Sequence, residues 1–187
     1  MLKDRLHGYG LVTIVLHWAC ALTIIFLFGL GVYMVDLGYY DKWYHKGPAL
    51  HISIGLLLLL AMTWRLLWRI FSRQPRPLPN HTRLIQFAST AVKVVLYALI
   101  FTLLISGYLI TSAAGRGPLL FDWFRFPALL QLDGQAVDLA GTIHWLFAWL
   151  IIILAGLHAA AALFHHFILR DRTLVRMLKP VSQSDLS

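Results

Sequence analysis

The stretch Gly141-Thr-Ile-His144-Trp-Leu-Phe-Ala-Trp-Leu-Ile-Ile-Ile-Leu-Ala-Gly156-Leu-His158 holds two histidines and no charged residue. A run of about 20 such residues is what a helix needs to cross the hydrocarbon of a bilayer. As a helix, its two histidines stand about 21 Å apart along the axis. Fourteen steps of rotation leave them within roughly 40° of one face. An ionisable side chain at membrane depth is costly, so each of these imidazoles calls for a partner and a purpose. This segment therefore predicts a membrane helix with one imidazole near each surface.

The rest of the chain supplies company for that helix. Of 187 residues, 59% are hydrophobic and 13% charged, and the mean hydropathy is +0.73. A soluble domain of this size cannot bury so much apolar surface. Four spans are expected, at about 11–34, 50–71, 90–112 and 142–168, within a single domain of residues 1–187. The fold class is all-α, an integral membrane four-helix bundle. Between the second and third spans, Ser72-Arg-Gln-Pro-Arg-Pro-Leu-Pro-Asn80 reads as a polar loop. The longer connection 113–141 carries the aromatic run Leu-Leu-Phe-Asp-Trp-Phe-Arg-Phe, suited to a membrane interface. The first span is too long for a signal-peptide core and has no cleavage site, so it reads as a retained anchor.

Charge orients the spans. Lys3, Arg5, Arg65, Arg69, Arg73, Arg76, Arg83, Lys93, Arg170, Arg172, Arg176 and Lys179 fall on one side, against Lys42, Lys46, Arg116 and Arg125 on the other. This bias predicts that both termini are cytoplasmic in a multi-pass protein of a bacterial inner membrane. It also accounts for the net charge of +8 without any nucleic-acid partner. The single cysteine, Cys20, excludes an intrachain disulfide and a C-x-x-C motif, and reads as a small buried residue.

Nine histidines are present. His7, His45 and His81 fall in polar flanks and read as solvated. His17, His51, His144 and His158 lie within the spans. The fourth helix runs opposite to the second, which levels His144 with His51 near the outer surface and His158 with His17 near the inner one. Two neutral imidazoles facing each other suit axial ligation of haem iron. Neither a four-ligand zinc site nor a carboxylate di-iron site fits, because no carboxylate accompanies either pair and the chain has no Glu. The plainer alternative is helix-to-helix hydrogen bonding by the same rings. Gly55, Gly107, Gly141 and Gly156 could let a flat macrocycle approach the backbone. Arg65, near the inner surface, is a partner for a haem propionate or else snorkels to lipid phosphate. His165 and His166 read as interfacial residues near a propionate.

Taken with His17-Trp18, His51, Arg65-Leu-Leu-Trp-Arg69, the run Gly156-Leu-His-Ala-Ala-Ala-Ala-Leu-Phe-His-His166 and Asp171-Arg-Thr-Leu-Val-Arg-Met177, the sequence resembles the bacterial dihaem cytochrome b561 family, especially its superoxide oxidase (superoxide:ubiquinone oxidoreductase) members. That resemblance implies two haem b groups, His17 with His158 on the cytoplasmic-side iron and His51 with His144 on the periplasmic-side iron. It further implies an oxidoreductase that takes electrons from periplasmic superoxide and gives them to ubiquinone, with no protein partner required. Lys42, Lys46, Arg116 and Arg125 would then form a cationic mouth for the anion. The alternative is a haem-bearing anchor subunit passing electrons between quinone and a partner dehydrogenase or hydrogenase. A small His-based transporter is a third reading, disfavoured because no carboxylate is expected within a span.

Overall fold

The computed structural model describes residues 1–181. Four long helices dominate: α1 (Leu11–Val35), α2 (Lys46–Phe71), α3 (Arg83–Ser112) and α4 (Gly134–Phe167). Each is long and apolar enough to cross a membrane, and lipid demands this form because no water is there to satisfy unpaired backbone groups. In the most apolar window of each helix, between 6% and 22% of residues are buried within the protein. The remaining apolar surface is what lipid covers, and this is a multi-pass membrane protein.

The helices run further than the apolar windows predict. α3 starts at Arg83, where Thr82 caps it by accepting from the Ile85 amide at 3.3 Å. α4 starts at Gly134, where Asp133 accepts from the Ala136 amide at 2.8 Å. Both are ordinary N-cap side chains. The connection between α3 and α4 is correspondingly shorter than 113–141, and Asp138, expected in that loop, belongs to the start of α4. The aromatic run forms a small hairpin, β1 (Leu119–Leu120) against β2 (Phe124–Arg125). Phe121 and Asp122 make its turn at φ 46° and 61°, a left-handed pair that usually calls for Asn-Gly. Trp123 at the tip is 94% exposed.

Packing divides the chain into two compact units. The terminal unit comprises Met1–Cys20, Ala61–Leu96 and the residues from Ile153 on; the loop unit comprises Ala21–Leu60 and Tyr97–Ile152. In the terminal unit, buried Asp4 accepts from the Gly10 amide at 2.6 Å and the Thr13 hydroxyl at 2.7 Å. Trp68 donates to that same Thr13 hydroxyl at 3.0 Å, and Trp18 to the Met177 carbonyl at 2.7 Å. In the loop unit, buried Ser53 ties α2 to the hairpin, accepting from the Phe121 amide at 3.0 Å.

Candidate functional site

The loop unit brings His51 and His144 face to face. Their ring centroids lie 6.2 Å apart at 67°. Two imidazoles sharing one metal at about 2 Å from each nitrogen have centroids about 6 Å apart. The Nδ1 of His144 lies 3.0 Å from the Leu103 carbonyl and 3.2 Å from the Ser106 hydroxyl. A carbonyl only accepts, so Nδ1 carries the proton and Nε2 keeps its lone pair for a metal. The Nδ1 of His51 is buried with no hydrogen-bond partner among the described residues. A ring kept for helix-to-helix hydrogen bonding would have one.

Two glycines make room for these rings. A Cβ on Gly107 would sit 2.9 Å from the Cε1 of His144, and one on Gly31 would sit 3.3 Å from the Cε1 of His51. Gly107 therefore makes room for an imidazole while also lining the cavity beside it, and the contact of Gly31 lies across the fold, beyond what sequence spacing shows. Gly55, Gly141 and Gly156 are different, since an added Cβ there would meet nothing within 4 Å. Gly55 and Gly141 line an apolar cavity of about 540 Å³ whose walls include His51, His144, Phe28 and Trp149. A cavity of that size and lining, with two opposed imidazoles, fits a haem.

A second cleft of about 620 Å³ is lined by Lys46, Arg116 and Arg125, with Asp122 as its acid. Ile52 and Thr111 line both cavities, so the two adjoin. Arg125 is held by donating to the Gly117 carbonyl at 2.9 Å. Three of the four expected mouth cations thus share one cleft; Lys42 is exposed and does not line it.

The terminal unit holds the other pair. His158 lies within electrostatic reach of Lys93 and Arg65, and His17 within reach of Arg65 and His158. Here Arg65 donates from Nη2 to the Nδ1 of His17 at 2.7 Å. Arginine cannot accept, so the proton of the neutral His17 ring sits on Nε2, the atom that iron would need. His17 becomes a ligand of the usual kind only when Arg65 releases it. His17 and His158 would hold a haem here, and Arg65 and Lys93 would be the cations available to its propionates. Lys93, which the charge bias uses only for topology, stands half-buried within α3, where a cation at membrane depth calls for a partner.

His81 and His165 also depart from expectation. His81 is not solvated: its Nε2 lies 3.0 Å from Oδ2 of Asp171, and His165 Nδ1 lies 2.5 Å from that same oxygen. Burial alone would raise the Asp171 carboxyl, but hydrogen bonds from Thr173, His165 and His81 outweigh it and hold the group well below the usual carboxylate range.

Four membrane helices with opposed imidazoles lining an apolar cavity define a membrane cytochrome of the b type. Residues 8–180 match the family model described as prokaryotic cytochrome b561, and the chain belongs to that family. It is 45% identical over 170 residues to cytochrome b561 homolog 2 of Escherichia coli, covering 91% of this chain and 90% of the relative. It is 30% identical to the probable superoxide oxidase CybB of Yersinia pestis, covering 91% and 95%. Cytochrome b562 of Cereibacter sphaeroides is also 30% identical, over 92% and 96%. The chain is thus a membrane electron-transfer protein, and haem b is the cofactor its family implies.

Proposed function

We propose that this cytochrome carries two haem b groups, on His51 with His144 and on His17 with His158, and oxidises superoxide while reducing ubiquinone. Haem bound to two imidazoles supplies one-electron transfer and leaves no coordination position open for oxygen chemistry. The observation that carries the proposal is the cleft of Lys46, Arg116 and Arg125 adjoining the cavity of His51 and His144. Cations at such a mouth draw in a small anion and raise its encounter rate. Each superoxide gives up one electron and leaves as dioxygen; two such electrons and two protons convert one ubiquinone to ubiquinol. Leu103 and Gly107 hold His144 in the tautomer and position that ligation needs, while the apolar walls exclude water. The family resemblance and the name of the Yersinia pestis relative point to the same substrate.

In this reading the protein sits in a bacterial inner membrane with both termini cytoplasmic and the cationic cleft facing the periplasm. The charge bias of the connections supports that orientation. The test is stopped-flow reduction of the purified protein by superoxide, with and without ubiquinone. Rapid haem reduction followed by quinone-dependent reoxidation is expected. No reduction by superoxide, with a dehydrogenase or hydrogenase co-purifying and reducing the haem instead, would favour the anchor reading.

A further inference from the structure

Among the described residues, a cluster of metal-ligating side chains outside the two histidine pairs lies in the terminal unit. It draws on three separate segments: His81 just before α3, His165 in the last turn of α4, and Asp171 beyond it. Their donor atoms all lie within 4.8 Å of one another. Each side chain is between 10% and 16% exposed, sheltered yet reachable from solvent. We propose that His81, His165 and Asp171 form a binding site for a divalent first-row metal ion of the zinc type, separate from either histidine pair.

Local structure gathers these groups. The chain leaves α4 through Arg170, a non-glycine residue at φ 52°. This left-handed step turns it back, so that the Asp171 amide donates to the His165 carbonyl at 3.1 Å. The Asp171 carboxylate is thereby returned to the side chain of His165. On the other side, Gln86 donates to the His81 carbonyl at 2.9 Å, fixing the residue just before the Thr82 cap. Both rings turn a nitrogen toward one oxygen, Oδ2, although one ring would suffice for a simple clamp. The second oxygen, Oδ1, is engaged by the Thr173 amide at 2.8 Å. Carboxylates that ligate metals are commonly oriented by such outer contacts.

The donor set selects the ion. Two imidazoles and one carboxylate suit zinc and its neighbours, whereas calcium and magnesium want mostly oxygen ligands. Around a tetrahedral ion, ligand atoms stand about 3.3 Å apart given metal–ligand bonds of about 2 Å. The observed separations of 3.0 and 2.5 Å need only a small opening, with each neutral ring carrying its proton on the nitrogen away from Asp171 so that the facing nitrogen offers its lone pair to the ion. Three protein ligands leave a fourth position for water. Arg170 and Arg172 flank Asp171 and weaken cation binding, so affinity in the micromolar range is expected.

The experiment is equilibrium dialysis of untagged, haem-loaded, chelator-treated protein against zinc, with bound metal counted by mass spectrometry. One zinc per chain is expected. Asp171→Asn and His81→Gln should each weaken binding at least tenfold, while His7→Ala, at an exposed residue, leaves it unchanged. His81→Gln lies before the helix and serves alone should Asp171→Asn fail to fold. Haem content, read separately, shows whether a variant is intact and keeps this test independent of the haem assignments. No zinc bound, or the same zinc bound by native protein and His81→Gln, overturns the proposal.

Discussion

The loop unit and the terminal unit each hold two imidazoles, but they hold them differently. In the loop unit, His144 is fixed by backbone: its Nδ1–H donates to the Leu103 carbonyl and Gly107 clears the space beside its ring. Its surroundings are apolar, and Nε2 is left ready. In the terminal unit, the corresponding ring answers to a charge, because Arg65 holds His17 through Nδ1. Lys93 adds a second cation within reach of His158. One pair of rings is preorganised by backbone, and the other stands against cations. The second should therefore respond far more to charge substitutions, and the first to steric ones.

The largest effect expected is selective loss. His51→Ala or His144→Ala should remove one component from a redox titration and leave the other, while His17→Ala or His158→Ala should do the reverse. Loss of both components from a single substitution would dissolve the distinction between the units. Next, Gly107→Ala should displace the His144 ring and perturb only the loop-unit haem, visible as partial loss of its low-spin spectrum. Gly29→Ala, whose Cβ meets nothing within 4 Å, serves as the control.

Arg65→Gln acts on the other centre. Removing a nearby cation disfavours the added electron, so the terminal-unit potential should fall while the other stays in place; a shift of about 60 mV corresponds to a tenfold change for one electron. A smaller effect is expected at the cleft. Arg116→Ala should slow reduction by superoxide severalfold at low salt and much less at high salt, where exposed charges are screened. Smallest of all is Ser106→Ala, since Leu103 still accepts from His144.

Much of this was legible in the sequence because lipid leaves few choices. A membrane helix must be long and apolar, and the four spans declare themselves by that alone. Their polar beginnings do not, since the first turns of α3 and α4 lie outside any apolar window. Thr82 and Asp133 were the cap signals there. Facing histidines follow from depth and helical period, and the ring centroids of His51 and His144 lie 6.2 Å apart. Contacts across the fold were out of reach: Gly31 against His51, or Arg65 on His17 in place of a propionate. The His81–Asp171–His165 cluster depends on a reversal at Arg170 that no local propensity announces, since arginine rarely adopts positive φ. The hairpin was hidden for a similar reason, its turn being built from Phe121 and Asp122.

The count of haem per chain tests the account most directly. Pyridine haemochrome absorbance, set against protein measured by amino-acid analysis, should give two haem b groups for each native chain. A value of one would leave one of the imidazole pairs without a cofactor and contradict the assignment of a centre to each unit.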